Sequence, residues 1–176
     1  MENETVFVEK LVKKRKNAMA WATQILSVIL GVFIIFTAWG FLSGSNLSFI
    51  LPLLVVGIGY GVWWFCCTFE IEYEYAITEG ELDIDKIIAK RKRTRILSVK
   101  CESFKAFGKV SDQSKPFYSD PALKTKIDAS EDDSSPEKYY AVFDHSKLGM
   151  TRIIFDPSDE MIAIIEKSMA RHGFRR

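Results

Sequence analysis

From residue 17 to residue 69 the chain carries no Asp, Glu, Lys or Arg, and no other feature limits its fold as severely. The stretch is roughly three times the shortest apolar run that crosses a bilayer as a helix. Elements of a soluble domain need a polar face, so a water-soluble fold would have broken such a run with charge. Its one interruption, Ser43-Gly44-Ser45-Asn46, is short, small and turn-forming. The pattern predicts a helical hairpin running out over residues 19–42 and back over 47–65. The chain then divides into an amphipathic and basic cytoplasmic segment at 1–18, a two-helix transmembrane hairpin at 19–66, and a soluble domain at 67–176.

Charge at the flanks orients the hairpin. Lys13, Lys14, Arg15 and Lys16 precede the first span, a second basic run from Lys86 to Arg95 follows the return, and the connecting turn has no charge. Positive charge stays inside, so the expected location is the cell membrane, multi-pass, with both termini cytoplasmic. Trp21 and Trp63-Trp64 mark the inner interface and Trp39 the outer one. A cleaved signal peptide fits poorly: the apolar run is too long and lacks a small-residue cleavage site before the turn.

Three details leave alternatives open. Gly57 and Gly61, with Gly59 between them, have the spacing that permits close helix contact. That contact can lie within the hairpin, which is the expectation, or between two copies, or the spacing can serve no contact, since Gly is common in membrane helices. Cys66-Cys67 stands where acylation can occur, or is a plain pair of small thiols; with Cys101 the count is odd and no Cys-x-x-Cys is present, which argues against both a disulfide framework and a zinc site. Phe7, Val8, Leu11 and Val12 fall at helical spacing with Lys10, Lys13 and Lys14, so residues before the first span read as a helix lying on the membrane or as the frayed start of that span.

The soluble part opens with strict alternation. Phe69, Ile71, Tyr73, Tyr75 and Ile77 occupy one face, and Glu70, Glu72 and Glu74 the other, read as solvated. Glu79-Gly80 is a turn, and 82–88 returns so that Ile77 meets Leu82 and Tyr75 meets Ile84. Strands are also predicted at 95–100, 103–107, 139–143 and 151–155, with a long polar loop at 111–137 containing Pro116, Pro121 and Pro136. A closing helix starts near Asp156-Pro157, carries the stripe Met161, Ile164, Ile165 and Met169, and ends at Gly173.

Six antiparallel strands followed by one amphipathic helix is the order of a pleckstrin-homology-like (PH-like) fold, a bent antiparallel sheet capped by a C-terminal helix. The fold class is therefore a membrane α-helical hairpin plus an α+β soluble domain. The chain resembles an uncharacterised bacterial family of small membrane proteins with a two-helix transmembrane hairpin and a C-terminal PH-like domain. The residues that carry the resemblance are Val6-Phe7-Val8-Glu9-Lys10-Leu11-Val12, Pro52-Leu53-Leu54-Val55-Val56-Gly57-Ile58-Gly59-Tyr60-Gly61, the stretch 69–95 centred on Tyr73-Glu74-Tyr75-Ala76-Ile77-Thr78, and Phe155-Asp156-Pro157. The resemblance implies an architecture and no activity.

Catalytic chemistry finds little footing. Asp144-His145-Ser146 are neighbours on a strand end and point to opposite faces, so they cannot form a relay; His172 lies in the last helical turn. No phosphate-cradling Gly-rich loop, paired metal-ligand histidines or nucleophile elbow is present. The expectation is a non-enzyme without cofactor or metal. Nucleic acid is not an expected partner, because residues 70–176 carry 19 basic and 20 acidic groups.

The basic run Lys90-Arg91-Lys92-Arg93, with Arg95, remains. The first strand leaves the membrane and the second retraces it at ~3.3 Å per residue, which returns this run to the bilayer surface. The expected role is a membrane-anchored PH-like interaction or scaffold module with a protein partner. The alternative is anionic-lipid sensing by the turn at 90–95, through Lys90, Arg91, Lys92, Arg93 and Arg95, each cation near the surface contributing about 1 kcal/mol.

Overall fold

The computed structural model describes residues 7–111, 121–132 and 138–171. His172, Gly173, Pro116 and Pro136 lie outside the described residues. Two compact units emerge, Lys16–Ile71 and a second that joins the residues up to Arg15 with those from Glu72 onward.

The first unit is a pair of helices, α1 (Ala18–Leu42) and α2 (Leu51–Cys67), joined by a tight turn and a short 3-10 segment (Ser48–Ile50). Asn17 starts α1 by accepting a hydrogen bond from the Ala20 N–H at 2.9 Å. Pro52 sits in the first turn of α2, where its missing N–H costs nothing. The spans Ala18–Leu42 and Ser48–Cys67, the latter joining the 3-10 segment to α2, are long and apolar enough to cross a membrane, with mean hydropathies of 2.5 and 2.0. One face holds them together. Gln24 Nε2 donates to the Cys66 carbonyl at 2.9 Å, Ser27 Oγ lies 3.8 Å from Cys66 Sγ, and Gly31 packs against Ile58 and Val62.

Among the described residues, the second unit holds eight strands and one helix: β1 (Phe7–Lys13), β2 (Ile71–Thr78), β3 (Glu81–Ile88), β4 (Lys92–Lys100), β5 (Phe104–Lys109), β6 (Thr125–Asp128), β7 (Tyr139–His145), β8 (Gly149–Phe155) and α3 (Asp159–Arg171). The strands form two four-stranded sheets, ordered β1-β2-β3-β4 and β5-β7-β8-β6. A 3-10 turn, Cys101–Ser103, carries the chain from one sheet to the other. Tyr75, Ile77, Leu82, Ile84 and Leu97 of the first sheet and Phe104, Tyr140, Phe143, Ile153 and Phe155 of the second are buried in the core. Tyr75 meets Phe155 edge-on at 5.7 Å, and its hydroxyl donates to the Ala129 carbonyl. Burial raises the Tyr75 pKa far above that of an ordinary phenol, ahead of the negative field of Asp156.

Four expectations need correcting. The N-terminal segment is neither a surface helix nor the start of α1. It is an edge strand, antiparallel to β2, with Val8 opposite Ile77 and Val12 opposite Tyr73. Part of the 111–137 loop is strand β6, which runs parallel to β8, with Ile127 opposite Ile153. The α3 cap is Ser158, whose Oγ accepts from the Met161 N–H at 3.3 Å; Asp156 accepts instead from the Glu131 N–H at 2.6 Å. On α3, Met161 and Ile165 are buried, while Ile164 is only half-buried.

Candidate functional site on the first sheet

The first sheet gathers charges that are scattered along the chain. β3 and β4 pair with Ile84 opposite Leu97 and Asp85 opposite Arg95, which leaves Ile96 as the extra residue of a bulge. Beyond the bulge, Ile87 faces Arg93. The guanidiniums of Arg93 and Arg95 converge on one carboxylate. Arg93 Nε donates to Asp85 Oδ2 at 2.6 Å and its Nη2 to Glu74 Oε1 at 2.6 Å. Arg95 Nε donates to Asp85 Oδ1 at 3.1 Å, with its Nη2 3.2 Å from Asp83 Oδ2. Asp83 Oδ1 is buried without a hydrogen bond.

The Asp85 side chain is 5% exposed, whereas both arginine side chains are more than half exposed. Burial by itself would raise the Asp85 pKa. Hydrogen bonds from Arg93 and Arg95, followed by their charges, outweigh it and hold the carboxyl below the usual carboxylate range. A carboxylate fixed in its charged form between two guanidiniums is a poor general base. Glu72 and Glu74, read as solvated from their alternation, are in fact buried. The reason is visible at Glu74, which Arg93 reaches from two strands away.

The β3–β4 turn projects the rest of the basic run. Ala89 and Lys90 adopt left-handed backbone, at φ 53° and 55°, and the Arg91 N–H closes the turn onto the Ile88 carbonyl at 3.1 Å. That conformation costs a non-glycine residue roughly 1–2 kcal/mol. Lys90, Arg91 and Lys92 are exposed. Among the described residues, neither Lys90 nor Lys92 takes part in an ion pair. The five cations singled out in the sequence therefore separate into two bound within the sheet, Arg93 and Arg95, and the tip residues 90–92.

At the opposite end of the same strands, the two-residue turn Glu79-Gly80 has both φ values positive, which matches the twist of a tight hairpin. It borders a cavity of about 380 Å³ that Glu81, Asp83, Glu102, Lys100 and Ser168 also line. Ser98 Oγ donates to Glu81 Oε1 at 2.7 Å, and Lys100 Nζ lies 3.9 Å from Glu102. Among the described residues, no group of three or more His, Cys, Asp or Glu is arranged to hold a metal ion. Cys101 is buried, and burial pushes its thiol up to about 12, too high for a nucleophile at neutral pH. His145 is a turn residue whose Nδ1 accepts from the Lys147 and Leu148 N–H groups at 3.2 and 3.3 Å.

Gly57 and Gly61 take no part in helix packing within the hairpin: a Cβ built on either, or on Gly59, meets nothing within 4 Å. The glycine at the contact is Gly31, where a Cβ would lie 2.9 Å from Val62 Cγ2. The sequence held a signal for it. Ser27 and Gly31 are themselves four apart, and Gln24 shares their face.

Two small sheets, an order of strands closed by one helix, and an apolar helix pair between the first two strands define an α+β domain of PH-like class. The chain belongs to the bacterial PH-like domain family (DUF6106), whose profile matches residues 3–175 and so runs through the apolar helices as well. No curated protein and no solved structure matches it.

Proposed function

We propose that this chain is a non-catalytic PH-like interaction module anchored in the cell membrane, a scaffold that holds a protein partner at the cytoplasmic surface. The observation that carries the reading is the place of the apolar helices in the fold. They are inserted between β1 and β2, which are paired neighbours with Lys13 opposite Glu72. Strands of one sheet must lie on one side of a membrane, so a chain that leaves at Lys13 and returns at Ile71 crosses an even number of times. The flanking positive charge favours the cytoplasm. Against an enzyme stand the fixed Arg–carboxylate cluster and the unreactive Cys101; against a nucleic-acid binder stands the balanced charge of the domain.

The test is thiol accessibility in intact cells, in a chain freed of Cys66 and Cys67. A cysteine at Ser45 is expected to react with a membrane-impermeant reagent, and one at the exposed Ser146 to react only after permeabilisation. Equal labelling of both positions refutes the anchored reading, and the reverse order refutes the cytoplasmic orientation. Crosslinking from native membranes then identifies the partner.

A further inference from the structure

We infer that the free edge of β4 is a strand-addition site for an extended acidic segment of a protein partner, with Glu or Asp at alternate positions. The inference rests on the proposed interaction role and gives it a partner class. Three observations converge on it.

The first is an open backbone. β4 is the last strand of the first sheet and, among the described residues, pairs with β3 alone. Lys92, Arg93, Thr94 and Arg95 are exposed in an unbroken run. An edge strand offers its unpaired N–H and C=O groups to an extended chain laid beside it. The other edge, β1, is guarded. Lys10 lies on its inward side and donates to the Pro157 carbonyl at 3.4 Å, and just past the strand the Arg15 N–H is taken by the Glu131 carbonyl at 2.7 Å.

The second is the sign of the charge. β4 carries Lys92, Arg93, Arg95 and Lys100 and no carboxylate. A second copy of the strand would set like charge beside like charge, which is unfavourable. An acidic strand meets the opposite condition, so the charges that keep β4 from pairing with itself select its partner.

The third is how the charge divides between faces. Asp85 opposes Arg95, Lys86 opposes Thr94, Ile87 opposes Arg93 and Ile88 opposes Lys92. Arg93 and Arg95 therefore share one face, and Lys86, Lys92 and Thr94 the other. The arginines are already matched by Asp83, Asp85 and Glu74. Among the described residues, Lys86 and Lys92 take part in no ion pair, nor does Lys90 in the adjoining turn. The unmet charge thus lies on the lysine side, and an added strand returns a side chain to that side at every second residue. Carboxylates at alternate positions meet the lysines, and neutral residues between them suffice opposite the arginines. A lipid headgroup would answer the charge and leave the backbone edge unused.

The experiment uses the full chain in micelles of a neutral detergent, with the fluorescently labelled peptide Thr-Glu-Thr-Glu-Thr-Glu-Thr as probe. Anisotropy is expected to show binding that weakens as salt rises, and none for the peptide with Lys in place of Glu. Each exposed ion pair strengthens binding by about twofold, so the K86Q/K90Q/K92Q chain is expected to bind about tenfold more weakly with unchanged near-UV circular dichroism. Amide hydrogen exchange over residues 92–95 is expected to slow in the complex. Methylating the backbone nitrogens of the Thr set or of the Glu set is expected to abolish binding for one set only, the one that faces β4. Absence of binding, or binding that survives both methylations and leaves exchange at 92–95 unchanged, overturns strand addition. Exchange that slows when phosphatidylglycerol is added to the micelles, with no response to the peptide, assigns the charge to lipid and overturns it equally. The thiol labelling described above reads the anchor separately, so either result can fail while the other stands.

Discussion

The edge strand β1 makes a quantitative prediction, because two neighbouring apolar residues on it have opposite surroundings. Val12 is 5% exposed and sits opposite Tyr73, while Leu11 is 54% exposed and sits opposite Glu74. A helix lying on a membrane would instead bury both. Val12→Asn removes a buried side chain whose transfer contributes about 1.5–2 kcal/mol. It also places an amide where nothing is positioned to bond it, at about 1–3 kcal/mol. Together these give a loss of about 2.5–5 kcal/mol, a large share of the ~5–15 kcal/mol typical of a domain. Leu11→Asn changes an exposed position and is expected to stay within about 0.5 kcal/mol. Cys101, fully buried, provides the assay. With Cys66 and Cys67 replaced by Ser, its modification requires the domain to open, and the rate follows the population of the open form. Val12→Asn is expected to raise that rate by about two to four powers of ten and Leu11→Asn by less than about threefold. Equal effects of the two substitutions would refute the strand.

The charged cluster predicts a response to acid. Asp85 is held below its unfolded value of ~3.9, so it contributes stability above that pH and loses it as pH falls through the lower folded value. Asp85→Asn is expected to cost about 1–3 kcal/mol at neutral pH and to flatten the acid limb below about pH 4, measured by the same Cys101 assay or by thermal unfolding. In the hairpin, Gly31→Leu drives a side chain into Val62 and is expected to cost about 1–3 kcal/mol, whereas Gly57→Leu and Gly61→Leu are expected to leave the monomeric hairpin unchanged, as read by helicity across a detergent-denaturant titration.

What the sequence disclosed divides along physical lines. The helices were legible because composition alone specifies them, and β2, β3, β7 and β8 because each has a run of apolar residues on the core side. β1 was not. Its inward side is Val8, Lys10 and Val12, and Lys10 spoils the alternation; its ammonium escapes the core by donating to the Pro157 carbonyl at 3.4 Å. The remaining apolar residues, Phe7 and Leu11, face outward, so the pattern mimicked a helix. β6 carries one apolar residue, Ile127, and owes its strand to backbone pairing with β8. Period alone cannot detect a strand that is recruited by its partner.

The candidate site was legible as composition and hidden as geometry. Six residues, Lys90 to Arg95, read as one basic run, yet the bulge at Ile96 and the pairing of Arg93 with Glu74 assign its members to different work. Nothing local to the run announces this, because Glu74 lies on another strand and the bulge is a property of the pair. The same holds for the insertion. The strand that precedes the apolar helices and the strand that follows them are neighbours in one sheet, so the fold cannot be completed by the C-terminal residues alone. Folding must bring β1 and β2 together across the whole apolar segment. The β1–β2 pairing therefore closes over the whole apolar segment, a long-range contact that no local pattern on either strand reveals.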